Sequence, residues 1–191
     1  MSVPDGYVVV GSTDRFAGRI FSVVSDEVRM PDGGVATRDY LRHPGAVAVI
    51  AVDDAGAVVL LGHYRHPVRR RLWEAPAGLR DVVDEPAVRT AQRELAEETD
   101  LTAGSWTPLL RLHPSPGCSS EEIEVFLARD LADAPGERPP RRGEEADLIV
   151  ERIAMPRALS MIDSGEITNG VTVAGLLAAD RRLRAAAQVA R

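Results

Sequence analysis

The chain has 191 residues, of which 45% are hydrophobic and 27% are charged, and its formal net charge is −6. These values are ordinary for one globular domain with a small appendage, and they exclude a disordered or fibrous chain. The negative charge excludes a general attraction to nucleic acid or to anionic lipid. The longest apolar stretch, 46–52, is much shorter than the ~20 residues that span a bilayer.

All 23 basic residues are arginines, which excludes catalysis by a lysine base, a lysine Schiff base or a P-loop lysine. Cys118 is the one cysteine, so an intrachain disulfide and a cysteine zinc site are excluded as well. Residues 1–14 lack the basic segment and apolar run of a signal peptide. We therefore expect a cytoplasmic protein without a membrane or nucleic-acid partner.

Short strands are predicted at the start of the chain. They cover residues 7–10, 20–24, 26–30 and 35–41, with a Pro-Asp-Gly-Gly turn at 31–34. We expect a small antiparallel β unit over residues 1–44, which is too small for a core of its own. The main domain is expected to follow over residues 45–191.

The main domain opens with a continuous apolar strand at 46–52, which we expect to be buried on both faces. Residues 57–61 are predicted to return as its hairpin partner. The clearest helix is predicted over 86–99, because Ala87, Ala91 and Leu95 recur every fourth residue. Asp84 and Pro86 supply the start signals of this helix, as a cap and as a proline in the first turn.

Strands and helices also alternate in the second half of the chain. Strands are predicted at 109–112, 123–128 and 146–153, and helices at 156–164 and 169–187. Val173, Leu176 and Leu177 are predicted to form the apolar face of the last helix. This mixed order predicts an α/β or α+β domain.

Three carboxylates crowd one side of the helix at 86–99. Since a helix advances ~100° per residue, Glu98 projects ~40° and Glu97 ~60° from Glu94. Carboxylates at this spacing repel one another, and a cation between them would offset the repulsion. Hard oxygen ligands suit Mg²⁺ or Mn²⁺. A solvated acidic face is the alternative that the helix alone leaves open.

The residues around these acids resemble the Nudix box, G-x5-E-x7-R-E-U-x-E-E-x-G-U, in which U is aliphatic. The matching residues are Gly78, Glu85, Arg93, Glu94, Leu95, Glu97, Glu98 and Leu101. Six residues, and not five, separate Gly78 from Glu85, and Asp100 replaces the glycine that ends the family's helix. The resemblance covers 78–101 only. It implies a Nudix-type α/β/α sandwich with a mixed sheet, which hydrolyses a nucleoside diphosphate linked to another group.

The Nudix resemblance also implies a role for each matching residue. The metal ligands would be the carboxylates of Glu94, Glu97 and Glu98 and the carbonyl of Ala77, with Glu98 also counted as catalytic. Mg²⁺ or Mn²⁺ would be the cofactor. Gly78, Glu85 and Arg93 would support the site, the last two as an ion pair that positions the helix. A plain surface ion pair is the other interpretation of that pair.

Segments outside the box resemble the ADP-ribose pyrophosphatase subfamily. Residues 64–78 resemble the segment that precedes the box there, and Pro116 lies 15 residues beyond Leu101, where the subfamily has a proline. The substrate-binding residues implied by this resemblance are Arg38, Arg65, Glu74, Leu79, Ser115, Pro116, Gly117 and Glu121. A Pro-Gly turn needed only for its shape is the alternative interpretation of the 115–117 loop.

The subfamily resemblance implies two further features. Its catalytic carboxylate comes from a mobile loop after the box, and here Glu145 is expected to take that role, with Glu144 in reserve. The subfamily works as a homodimer with exchanged N-terminal units, in which Arg38 would reach the partner's site. The small β unit at 1–44 fits this arrangement.

The implied reaction is Mg²⁺-dependent hydrolysis of ADP-ribose to AMP and ribose 5-phosphate. Two alternatives stay open at this point. One is a Nudix hydrolase for another substrate, such as a nucleotide sugar, NADH or a dinucleoside polyphosphate. The other is a non-catalytic ADP-ribose sensor, which the retention of Glu94, Glu97 and Glu98 disfavours.

Overall fold

The computed structural model describes residues 6–136 and 147–189. The chain divides into two compact units. Unit 1 consists of Met1–Gly45 together with His113–Glu122, and unit 2 of Ala46–Leu112 together with Ile123–Arg191. Among the described residues, no helix is long and apolar enough to cross a membrane.

Unit 1 is built on a three-stranded antiparallel sheet in the order β1–β2–β3. Its strands are β1 (Val8–Ala17), β2 (Ser22–Arg29) and β3 (Val35–Arg42). The predicted turn at 31–34 joins β2 to β3, and Gly33 adopts the positive φ of 88° that the turn requires. β2 is one strand where the sequence predicts two, because Ser25, at the predicted break, pairs with Thr13 of β1 and Asp39 of β3.

The segment 113–122 belongs to unit 1 because it pairs with β3. The N–H of Leu41 donates to the carbonyl of Cys118 at 2.8 Å, and the N–H of Ser120 donates to the carbonyl of Leu41 at 2.9 Å. Within the segment, the carbonyl of Ser115 accepts hydrogen bonds from Cys118 and Ser119. The predicted loop at 115–119 is therefore a closed turn.

Unit 2 contains two sheets and three helices. Its strands are β4 (Ala46–Ala51), β5 (Ala57–Arg65), β6 (Arg70–Glu74), β7 (Ala77–Leu79), β8 (Leu101–Leu112), β9 (Ile123–Asp133) and β10 (Ile149–Ala154). Its helices are α1 (Ala87–Thr99), α2 (Met155–Asp163) and α3 (Gly170–Val189), with a 3-10 turn at His66–Val68. One sheet has the order β7–β4–β9–β8 and is mixed, since β4 and β9 are parallel; the other has the order β10–β5–β6. The predicted α/β class with a mixed sheet is confirmed.

The predicted hairpin between residues 46–52 and 57–61 is wrong. β5 follows β4 after a short turn, but it pairs with β6 and β10 in the other sheet. A single bridge between Val52 and Val58 is what connects the two strands. The reason is that β7 and β9 already occupy the two edges of β4, so β5 finds no free edge there.

The core of unit 2 lies on both faces of β4, as the apolar run predicts. Alternate residues of a strand point to opposite faces. Ala48 and Ile50 pack in one cluster with residues of α2 and α3, whereas Val47 and Val49 pack in a second cluster with α1. All six residues of β4 are buried.

The predicted apolar face of the last helix is partly wrong. In α3, Leu176 is fully buried, whereas Leu177 is 53% exposed. Thr172, Leu176 and Ala179 recur at a spacing of four and three residues and form the buried side. Leu177 lies ~100° from Leu176 around the helix and therefore points away from that side.

Helix α1 departs from the prediction at its N-terminal end. Pro86 takes the N-cap position and no side chain caps the helix, so the predicted cap by Asp84 is wrong. Asp84 has a φ of 62°, which is a left-handed conformation. At the other end, Asp100 adopts a φ of 59° and its N–H donates to the carbonyl of Ala96. An aspartate thus adopts the left-handed conformation that the family's glycine would supply.

Candidate functional site

Helix α1 and strand β7 bring a box glutamate to the backbone of Ala77. Glu98 is buried, and its Oε2 accepts a hydrogen bond from the N–H of Ala77 at 2.9 Å. The N–H of Val49 in β4 donates to the carbonyl of Pro76. Since hydrogen-bonded and non-hydrogen-bonded pairs alternate along an antiparallel ladder, the next residue, Ala77, forms no backbone hydrogen bond to β4. Both polar backbone groups of Ala77 therefore point away from β4, on the side of Glu98. The carbonyl of Ala77 thus lies on the same side of β7 as the carboxylate of Glu98.

Gly78 makes room for the second carboxylate. A Cβ atom at this position would lie 2.0 Å from Cδ of Glu94 and 2.3 Å from its Oε1. The side chain of Glu94 therefore passes so close to β7 that any Cβ atom at position 78 would force it to move. The support that the sequence assigns to Gly78 has this steric basis.

Arg93 binds two carboxylates of the site and lies near two more. Its Nη1 donates to Oε1 of Glu94 at 2.6 Å and to Oε2 of Glu97 at 3.3 Å. Its Nη2 lies 3.7 Å from Glu85 and 3.9 Å from Asp81. The expected Glu85–Arg93 pair is present, but the same guanidinium also holds two of the expected metal ligands. Asp81 escaped the sequence analysis because the box motif assigns no residue type to its position.

The carboxyl group of Glu94 is the perturbed acid of the site. Its pKa is raised from 4.5 to about 7, chiefly by burial and also by the charges of Glu97 and Asp81, while Arg93 opposes the shift. A partly desolvated acid with negative neighbours gains from an added cation. Glu94 is half-buried, Glu98 is buried, and Glu97 is half exposed.

The donor set fits a hard divalent cation. Among residues 6–136 and 147–189, no three acidic, histidine or cysteine side chains form a ready-made metal cluster. Mg²⁺, however, usually takes one or two carboxylates and keeps several waters. The carboxylates of Glu94 and Glu98 and the carbonyl of Ala77 meet that need. The raised pKa of the half-buried Glu94 and the space that Gly78 leaves beside it support the fit.

Arg65 and Glu74, both expected at the substrate, bind each other. Nε of Arg65 lies 3.0 Å and Nη2 lies 2.7 Å from Oε2 of Glu74, which is a two-pronged ion pair. The side chain of Glu74 is 4% exposed, whereas that of Arg65 is 42% exposed. Glu74 thus holds a partly exposed guanidinium in a fixed orientation. Leu79, a third expected substrate residue, is half-buried at the end of β7 opposite Ala46.

The other expected substrate residues belong to unit 1. Arg38 is exposed on β3, and its Nη1 donates to the carbonyl of Thr37. Ser115, Pro116 and Gly117 are exposed in their turn. Glu121 is half-buried, with one carboxylate oxygen 3.8 Å from Nδ1 of His43. The structure thus divides the expected substrate residues between the units, with Arg65, Glu74 and Leu79 in unit 2.

Glu145 and Glu144, the expected catalytic carboxylates, lie outside the described residues. The first described residue after them is Asp147, which Arg71 binds twice. One guanidinium nitrogen donates to the carboxylate of Asp147 and the other to its carbonyl at 3.0 Å. Sequence analysis missed this anchor, because Arg71 stands in a run of three arginines that favours no single member.

The sequence matches the family of the NUDIX domain over residues 42–166, which is more than half of the chain. The chain belongs to the Nudix family. The match extends well beyond the box at 78–101 in both directions. It includes both sheets of unit 2 and helices α1 and α2, and it ends before α3.

Similar proteins agree with the Nudix assignment. The ADP-ribose pyrophosphatase of Mycobacterium tuberculosis is 42% identical over 172 residues, covering 90% of this chain and 82% of the relative. The ADP-ribose pyrophosphatase of Bacillus subtilis is 34% identical over 157 residues, covering 82% and 83%. A crystal structure of an ADP compounds hydrolase has a TM-score of 0.78 at 20% identity and covers 97% and 98% of the two chains, so it shares the fold. The chain is a Nudix hydrolase.

Proposed function

We propose that this Nudix hydrolase cleaves the pyrophosphate bond of ADP-ribose and releases AMP and ribose 5-phosphate. The observation that carries the proposal is the likeness to two ADP-ribose pyrophosphatases, at 42% and 34% identity over more than four-fifths of the chain. The retained box residues Arg93, Glu94, Glu97 and Glu98 and the subfamily features at Arg65, Glu74 and Pro116 support it. The single cysteine fits the cytoplasm as the place of the reaction.

Mg²⁺ or Mn²⁺ is the proposed cofactor, held by the carbonyl of Ala77 and the carboxylates of Glu94, Glu97 and Glu98. When bound, a divalent ion neutralises the diphosphate, polarises a phosphoryl oxygen and lowers the pKa of a bound water. The half-buried Glu94 with its raised pKa, the buried Glu98 and the orientation of Ala77 support these ligands. For Glu97, the support is its place in the box beside Arg93.

The remaining proposed roles belong to the chain itself. Arg93 holds Glu94 and Glu97 against their mutual repulsion, and Gly78 leaves space for Glu94. Arg65, fixed by Glu74, presents its guanidinium to the substrate. These contacts order the site before the substrate arrives, which lowers the entropic cost of reaction.

The chemical step adds one water across the phosphate–oxygen–phosphate bridge. The oxygen of the water bonds to one phosphorus while the bridging oxygen leaves with the other phosphate. Glu145 is the proposed base that accepts the proton of the attacking water, with Glu144 as the alternative. Leu79, Ser115, Gly117 and Glu121 are proposed to contact the substrate around this bond.

A homodimer with exchanged N-terminal units completes the proposal, with Arg38 of one protomer at the site of the other. Unit 1 supports it through the large apolar side chains that it leaves exposed. These are Tyr7, Val8, Val9, Val10, Phe16, Ile20, Phe21 and Val35. Exposed apolar groups in this number are typical of a surface that another protein covers.

Product analysis tests the proposed reaction. Incubation of ADP-ribose with the protein and Mg²⁺ should yield AMP and ribose 5-phosphate in equal amounts by liquid chromatography. Chelation of the metal, or Glu98→Gln, should stop the reaction while circular dichroism stays unchanged. ADP-ribose that binds in calorimetry without forming products would contradict the proposal and favour a sensor.

A further inference from the structure

The two residues between β6 and β7 cross from one sheet of unit 2 to the other. Ala75 and Pro76 make this link, and both are buried. Neither residue lies inside a strand, so the regular sheet ladder leaves the N–H of Ala75 without a partner. A buried N–H needs an acceptor. The hydroxyl of Thr172 in α3 provides it, at 2.9 Å from the nitrogen of Ala75.

Thr172 is itself held in place. It is 1% exposed, and its hydroxyl donates to Oδ1 of Asn169 at 3.0 Å. The same oxygen of Asn169 accepts the N–H of Thr172 at 2.9 Å, which caps the start of α3. Since Leu176 and Ala179 bury the following turns of α3, the hydroxyl has a fixed position in the core.

Three consecutive residues, the two of the link and the first residue of β7, are therefore held by three different elements. Thr172 of α3 binds Ala75, Val49 of β4 binds the carbonyl of Pro76, and Glu98 of α1 binds the N–H of Ala77. The ring of a proline also fixes its own φ. The direction of the carbonyl of Ala77 depends on all of these contacts together.

We propose that Thr172 is a positioning residue of the metal centre. Its hydroxyl anchors the link at 75–76 so that the carbonyl of Ala77 and the carboxylate of Glu98 face the same cation. This inference rests on the proposed function, in which these two groups are metal ligands. Thr172 acts through Ala77 and touches neither metal nor substrate.

Metal binding by the full-length protein tests the inference. Thr172→Val keeps the shape of the side chain and removes the hydroxyl, whereas Thr172→Ser keeps the hydroxyl. We expect Thr172→Val to weaken Mn²⁺ binding at least tenfold, measured by electron paramagnetic resonance without substrate. Thr172→Ser should bind Mn²⁺ within about twofold of the wild type.

Two further variants separate positioning from general stability. Ala179→Gly weakens the same buried side of α3 without touching the link, and should leave Mn²⁺ binding unchanged although it lowers the melting temperature. Asn169→Gly places at the start of α3 a residue that helices accept as an N-cap. It removes the oxygen that accepts the hydroxyl of Thr172, so that this hydroxyl is free to rotate. It should weaken Mn²⁺ binding about threefold, and it provides the test should Thr172→Val fail to fold.

The outcomes distinguish this inference from the proposed function. Wild-type affinity in Thr172→Val, or in Asn169→Gly where the valine variant does not fold, would overturn the inference alone. Equal weakening in Ala179→Gly would overturn it too, because the effect would then follow stability. A folded wild type that binds no Mn²⁺ would overturn the metal centre and, with it, the role of Thr172.

Discussion

Glu94 is the residue at which metal binding and protonation compete. Burial raises the pKa of its carboxyl group to about 7, so much of the metal-free protein carries a proton there at neutral pH. Mg²⁺ must displace this proton. The apparent dissociation constant for Mg²⁺ should therefore rise about tenfold per pH unit below pH 7 and become flat above about pH 8. Calorimetry across pH 5.5–8.5 measures it, and a constant affinity would contradict the raised pKa.

The same raised pKa predicts how the stability of the metal-free protein changes with pH. The folded state binds a proton that the unfolded state has already lost between the ordinary pKa of 4.5 and about 7. The contribution of this group to the free energy of unfolding is therefore fully present below pH 4.5 and is lost as the pH rises through about 7. Glu94→Gln should lose this part of the pH dependence. Melting curves in a chelating buffer compare the two proteins, and identical pH profiles would contradict the assignment.

Gly78 gives a steric prediction at the same scale. In Gly78→Ala, the new Cβ would lie 2.0 Å from Cδ of Glu94, so that side chain must move from its present position. We expect a loss of activity of two orders of magnitude or more, because a displaced ligand costs several kcal/mol of transition-state stabilisation. Gly170→Ala is the control, since its Cβ would meet no atom within 4 Å. Full activity in Gly78→Ala would show that Glu94 has no role.

The box helix could be predicted from the sequence, whereas the partners of its side chains could not. The period of Ala87, Ala91 and Leu95 predicts α1 to within a residue, since helical contacts are local. The pairing of Arg65 with Glu74 depends on the register of β5 against β6, which no local pattern contains.

Strand pairing illustrates the same limit at the scale of elements. The apolar run at 46–52 predicts a buried strand, but it does not say which strands flank it. β7 and β9 do so, and β5 is therefore diverted to the other sheet. β8 begins at Leu101, eight residues before the predicted 109, because pairing with β9 extends through its polar half.

The end of α1 supplies a stability prediction for an element. Asp100 stands in a left-handed conformation with a φ of 59°, which costs roughly 1–2 kcal/mol for most residues other than glycine. Asp100→Gly should leave the free energy of unfolding unchanged or raise it by up to about 1 kcal/mol. Asp100→Val should lower it by about 1–2 kcal/mol, because a β-branched side chain tolerates this conformation poorly. Urea unfolding measures both, and a more stable valine variant would contradict the account.

At the scale of the whole molecule, the proposed dimer predicts a mass and a way to change it. Light scattering should give twice the chain mass of 20.6 kDa. Phe16 and Ile20 are 57% and 51% exposed in unit 1. The double variant Phe16→Glu with Ile20→Glu should disrupt the dimer and give the mass of one chain. The control is Val83→Glu, at an apolar residue 87% exposed in unit 2, which should keep the doubled mass. A wild type of 20.6 kDa would contradict the dimer.

Substrate preference tests the central proposal most directly. Values of kcat/KM with Mg²⁺ would be measured for ADP-ribose, UDP-glucose, GDP-mannose, NADH and a diadenosine polyphosphate, with phosphate released by alkaline phosphatase as the signal. We expect ADP-ribose to exceed every other compound by at least tenfold. A higher value for another compound would contradict the ADP-ribose assignment while leaving the metal helix in place, and no turnover of any compound would contradict hydrolysis itself.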